Sequence, residues 1–171
     1  PSRVFDDHTA FAAAIKAVCP TAQRRPDAMA WEGEVSVLED DIVPEETLGA
    51  RRQPFEVSLQ TRRDGRGTFL RVTSPVGLLN LEHGPTAKRF LDDQYHCYAV
   101  AIEAVISEVG APARGTKLTQ FVRTRTDMPL RPGMDPTKRV YTAMKAATTA
   151  ADWLEVTYAA GQDLTLLDWR A

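Results

Sequence analysis

The sequence predicts an α+β fold of two layers, an antiparallel β-sheet with long amphipathic helices packed on one face. Three patterns carry that expectation. Residues 55–61 and 68–72 alternate apolar and polar side chains on either side of a glycine-containing turn. Residues 31–37 alternate in the same way. Residues 86–109 place apolar side chains at helical spacing along one stripe. The chain has 171 residues, near the size of one domain, and it is expected to form a single α+β domain over 1–171.

The first helix is expected over about 7–18. Phe11, Ala14, Ile15 and Val18 share a face there, and Asp6 or Asp7 can accept the free N–H groups at its start. Cys19-Pro20 ends it, because proline disfavours helical backbone in the residue before it. Trp31 to Val37 follows as a strand with Trp31, Val35 and Val37 inward. Residues 39–54, polar and containing Pro44 and Gly49, are expected to form a long loop with one helical turn at Pro44-Glu45-Glu46.

Phe55–Thr61 and Thr68–Val72 flank Arg63-Asp64-Gly65-Arg66-Gly67, a sequence suited to positive φ, and so predict a β-hairpin. Pro85 and Gly110 bracket the next segment. Within it Leu91, Tyr95, Tyr98, Ile102, Val105 and Val109 form the stripe that predicts a helix over 86–109. The same stripe fits a coiled-coil seam. Packing across the sheet is preferred, because a coil needs heptads sustained over more length.

A strand is expected at Leu118–Arg125, with Thr119, Phe121, Arg123 and Arg125 on one basic face. A helix follows from about Pro136, with Val140, Met144, Ala147 and Ala151 together. Two readings compete beyond it. The helix can continue through Leu154 and Tyr158 to Gly161, or Trp153–Tyr158 and Leu164–Trp169 can pair as a hairpin. The β-branched and aromatic content (Val156, Thr157, Tyr158, Thr165) favours the hairpin. Helix, three-strand meander and long helix together resemble the layout of small bacterial secretion-chaperone-like domains. The resemblance is one of layout and implies the α+β class alone.

Composition narrows the function classes. No apolar run approaches the length that spans a bilayer, and the first residues have no apolar core of a leader, so a soluble, cytoplasmic protein is expected. The two cysteines, Cys19 and Cys97, are expected to be reduced thiols. The formal net charge of −2 is unevenly spread. Residues 1–50 hold four basic and ten acidic side chains, 51–145 sixteen basic and nine acidic, and 146–171 one basic and four acidic. Such blocks can form opposed faces that steer an acidic partner or favour self-association, or they can cancel in three dimensions.

Catalytic constellations are lacking. His96 with Asp92 or Asp93 has helical spacing for a weak metal site, but a solvated polar face explains it better. Cys97 has no evident base: adjacent His96 points away on a helix, and His83 reaches it only through tertiary folding. Gly65-Arg66-Gly67 joins two strands and opens no helix, so it is no phosphate loop. No catalytic residue, metal ligand or cofactor is therefore assigned.

Arginine is the unusual feature. Arg51, Arg52, Arg62, Arg63, Arg66 and Arg71 surround the hairpin, and Arg114, Arg123, Arg125, Arg131 and Arg139 follow. Guanidinium forks bind carboxylates and phosphates in bidentate fashion. The alternative is that they pair with the acidic first fifty residues. The first expectation is a non-catalytic protein-binding or regulatory module, of specialised-chaperone, immunity-protein or adaptor type. Its partner contacts would include Arg51, Arg52, Arg62, Arg63, Arg66, Arg123 and Arg125. A protein partner is expected, a homodimer stays open, and no membrane is involved. The second is a small enzyme or ligand-binding domain with a pocket at His83, Tyr95, His96 and Tyr98. The third is a nucleic-acid binder through the arginines, disfavoured by a pI near 6.0.

Overall fold

The computed structural model describes residues 8–26, 29–80, 101–106, 119–131, 133–159 and 164–166. In chain order these form α1 (His8–Val18), β1 (Gln23–Arg24), β2 (Ala30–Leu38), β3 (Asp41–Val43), β4 (Arg51–Thr61) and β5 (Thr68–Asn80). Then come β6 (Ala101–Ile106), β7 (Thr119–Pro129), α2 (Pro136–Ala159) and β8 (Leu164–Leu166). The strands join in one antiparallel sheet whose main path runs β1-β2-β4-β5-β7-β6. β3 lies beside β2, and β8 beside β5. The α+β class expected from the sequence therefore holds.

Alternation decides which side of the sheet each strand buries. Val35 and Val37 of β2, Phe55 and Val57 of β4, and Leu70 and Val72 of β5 are buried together with Phe11, Ile15, Val140, Met144 and Ala147 of the helices. Phe11 meets Trp31 edge to face, with ring centroids 5.1 Å apart, a geometry favoured by the ring quadrupoles. Asp135 starts α2: its Oδ1 accepts the N–H groups of Thr137 at 3.0 Å and Lys138 at 3.3 Å, with Pro136 in the first turn. No helix among the described residues is long and apolar enough to cross a membrane.

Close approach explains one glycine. A Cβ on Gly33 would stand 3.0 Å from Phe55 Cζ and 3.3 Å from the Ala22 backbone, so the Phe55 ring lies across the bare backbone of β2. Pro75 falls where β5 changes register against β7, between Pro75 and Gly77, a break in the ladder that tolerates a residue without an N–H. The first half of β5 pairs with β4 and its second half with β8, while β7 runs along its other edge.

The structure corrects three sequence expectations. Residues 39–54 are not one loop: Asp41–Val43 folds back on Ser36–Leu38 with Glu39 at φ 46°, and β4 begins at Arg51. The helix expected over 86–109 does not hold at Ala101–Ile106, which is a strand paired with β7; residues 86–100 and 107–109 lie outside the described residues. That segment is a short run rich in Ile and Val, and periodicity alone does not separate such a run from a strand. The first arm of the C-terminal hairpin is instead the end of α2, where Ala151 and Leu154 are fully buried in continuation of the Val140 and Met144 stripe. Packing of that stripe outweighs the β-propensity of Val156 and Thr157. The second arm does form a strand at Leu164–Leu166.

Candidate functional site

The face of the sheet opposite the core carries the arginines and glutamates that alternate with the buried residues. Register sets them side by side. Glu32 of β2 faces Glu56 of β4, Glu56 faces Thr73 of β5, and Thr73 faces Arg125 of β7. One step along, Glu34 faces Pro54, and Pro75 faces Arg123. Arg71 faces Asp127. Glutamates thus stand on β2 and β4, with Arg52 of β4 3.5 Å from Glu34, and arginines stand on β5 and β7, with Glu103 of β6 in register with Arg123. Between them lies a groove of about 600 Å³ lined by Arg25, Glu32, Glu34, Pro54, Glu56, Thr73, Pro75 and Arg123, among others.

Several charges of this face are already engaged. Arg25 donates to Glu56 at 2.6 Å. Arg71 holds Asp127 with both arms of its fork, at 2.8 Å and 3.0 Å, and Arg125 lies 3.4 Å from the same carboxylate. Arg71 also sits over the Phe69 ring, 5.2 Å from its centroid. Glu32 is exposed, and it stands directly across from Glu56, whose charge Arg25 offsets.

Of the other candidate arginines, Arg52 shares this face, 3.5 Å from the Glu34 carboxylate, and the rest are placed elsewhere. Arg52 is built into the fold: it donates to Ser36 Oγ at 3.1 Å, to the Pro44 carbonyl at 3.1 Å and to the Glu34 carbonyl at 3.2 Å, and so fastens the loop after β3 to β2. Arg51 reaches α2, donating to Asp152 at 2.6 Å and Glu155 at 2.5 Å. Gln53, fully buried, donates to the same Glu155 carboxylate at 2.9 Å, while its own Oε1 has no hydrogen-bond partner among the described residues. Burial pushes the Glu155 carboxyl above its ordinary range, against the opposing pull of the Arg51 and Gln53 hydrogen bonds. Arg62, Arg63 and Arg66 are exposed on the hairpin turn between β4 and β5. The structure thus gathers Arg123 and Arg125 on the outer face, sets Arg62, Arg63 and Arg66 at its end, and sends Arg51 and Arg52 into structural contacts.

His83, Tyr95, His96 and Tyr98, as well as Cys97, lie outside the described residues. Cys19 is a buried thiol. A smaller hollow of about 360 Å³ lies between the end of α1, β3 and the start of α2. There the Tyr141 hydroxyl donates to Asp41; that bond is the leading reason the Tyr141 phenol is raised and the Asp41 carboxyl lowered from their ordinary values. Among the described residues no group of three or more His, Cys, Asp or Glu side chains could hold a metal ion.

Sequence reasoning missed the acidic half of the outer face. Glu32, Glu34 and Glu56 occupy the polar positions of correctly expected strands, but only strand register sets them beside one another. No protein-family model matches the chain, and no curated protein matches its sequence.

Proposed function

We propose that this chain is a non-catalytic protein-binding module, of the kind that serves as a specialised chaperone, immunity protein or regulatory adaptor, and that its partner docks on the outer face of the sheet. One observation carries this reading. On that face glutamates of β2 and β4 share a groove of about 600 Å³ with Arg25 and with Arg123 of β7, and among the described residues both helices belong to the opposite, buried face. Charges of both signs arranged in register select a complementary partner and fix its orientation more than they add affinity.

On this reading the chain is one α+β domain of two layers, with α1 and α2 over the inner face and the outer face left to the partner. It works in the cytoplasm, where a buried Cys19 stays reduced. A second reading rests on the same face. A surface that carries charges of both signs can complement a second copy of itself about a two-fold axis, which suits a homodimer.

Affinity purification of the tagged chain from its native host, at low and high salt, tests the proposal. A stoichiometric polypeptide that co-elutes at low salt and leaves at high salt is expected. A bare monomer under both conditions overturns both readings, and a dimer alone in light scattering selects the second.

A further inference from the structure

One end of the sheet holds a separate basic cleft. The turn after β4 is closed by hydrogen bonds from Arg62 N–H to the Gly67 carbonyl and from Gly65 N–H to the Arg62 carbonyl, both 2.8 Å, with Gly65 at φ 67°. Asp64 Oδ1 accepts the Arg66 N–H at 3.0 Å. Leu130 N–H donates to the Thr68 carbonyl at 3.1 Å, and Phe69 is in register with Pro129. Those contacts bring Arg131 against the hairpin turn. A cleft of about 440 Å³ opens between the two turns, with Arg62, Arg66 and Arg131 among its walls and Phe69, Pro129 and Leu130 as its apolar lining.

The charge around this cleft is not balanced. Asp127, which also lines it, is held by Arg71 and Arg125. Asp64 is exposed and stands 3.9 Å from Arg62. Among the described residues no carboxylate pairs with Arg63, Arg66 or Arg131 within 4.0 Å. Guanidinium groups are planar forks, always charged and weakly hydrated, and they match carboxylates in bidentate geometry. Here they surround an apolar patch, so an anionic chain that also carries an apolar side chain satisfies both parts of the surface.

We propose that this cleft docks an acidic segment of a polypeptide partner, its carboxylates taken by Arg62, Arg66 and Arg131 and an apolar side chain seated on Phe69, Pro129 and Leu130. The inference rests on the protein-binding reading and adds to it a second contact, with its charge and place. A polypeptide is favoured over a nucleic acid on two grounds. Single-stranded nucleic acids are held by several stacking aromatics, whereas Phe69 is the one aromatic side chain among the described residues that line this cleft. The chain as a whole is acidic, with a formal net charge of −2, which opposes a long polyanion.

The test is fluorescence anisotropy with the full chain and a short labelled peptide of glutamates around one leucine, at low and high salt. Wild type is expected to bind, less tightly as salt rises. Arg62→Glu/Arg66→Glu/Arg131→Glu, and the milder triple change to glutamine, are expected to lose about tenfold or more in affinity. Lys138→Glu, an exposed change on α2 outside both the cleft and the outer groove, is expected to bind the peptide as wild type does. Absence of wild-type binding, or equal binding by both triple variants, overturns the proposal. An all-glutamate peptide that binds equally tightly removes the apolar seat, and an oligothymidylate of equal charge that binds more tightly through the same arginines overturns the choice of a polypeptide. If the triple variants still capture the host partner undiminished, this inference fails while the protein-binding reading stands; a wild-type chain that captures none removes that reading itself.

Discussion

Replacing Arg51 by alanine removes the cation that holds Glu155 at the end of α2. The two partners differ in exposure: the Glu155 side chain is 9% exposed and that of Arg51 45%. Breaking a fully buried ion pair by deleting one partner costs about 3–5 kcal/mol. Here water reaches the guanidinium and the carboxyl can take up a proton, so a loss of about 2 kcal/mol near neutral pH is expected. The pair with Asp152 adds at most about 1 kcal/mol, as exposed pairs do.

The pH dependence identifies the cause. Burial raises the folded-state pKa of Glu155 above its ordinary value of 4.5. The folded chain therefore holds this proton more firmly than the unfolded chain, and its contribution to stability is fully present below 4.5 and lost as pH rises through the raised value. Without Arg51 the carboxyl rises further, so the Arg51→Ala penalty shrinks as pH falls from about 7 to about 5. Glutamine at 155 removes the buried charge, so Arg51→Ala/Glu155→Gln is expected to be more stable near neutral pH than Arg51→Ala alone. Urea unfolding of the wild type, both single variants and the double variant at the two pH values measures all of this. An Arg51→Ala loss that is the same at both pH values, or single losses that simply add, would refute the account of an unpaired buried carboxylate.

Gly33→Ala is expected to cost about 1–3 kcal/mol in the same assay, because its Cβ would press on the Phe55 ring and the Ala22 backbone. Met144→Ala opens a cavity in a fully buried position beneath α2 and is expected to cost about 2–5 kcal/mol, with an unchanged denaturant slope. Tyr141, raised by its hydrogen bond to Asp41, is expected to ionise above ordinary tyrosine in an ultraviolet titration. Asp41→Asn should bring it back down; since the folded-state value is the raised one, the stability this phenol contributes is lost as pH rises through it.

Local chemistry was legible where one short segment decides the outcome. Arg63 to Gly67 announces its turn through glycine, and Pro136 announces the start of α2. The stripe from Val140 to Ala151 reads as a buried helix face, and it is one. Long-range pairing was not legible. Ala101–Ile106 satisfies a helical stripe and a strand equally well, and only its partner β7 separates the two. Trp153–Thr157 has strand-like residues, yet the burial of Leu154 beside Ala151 keeps it helical. The outer face depended on register most of all. Arg123 and Arg125 stood out as basic alternation on one strand. The opposition of Glu32 and Glu56, set by strands that are distant in sequence, could not be counted from spacing. Arginine composition likewise did not distinguish Arg52, fastened to backbone carbonyls, from Arg66, exposed at a turn.

Docking on the outer face is tested by what the tagged wild type and its Glu32→Lys/Arg123→Glu variant capture from the native host, with melting of both chains followed alongside. A stoichiometric polypeptide is expected with the wild type and not with a variant that melts within a few degrees of it, about the effect of 1 kcal/mol or less. The same polypeptide captured in equal amount by both chains would contradict docking on the outer face of the sheet.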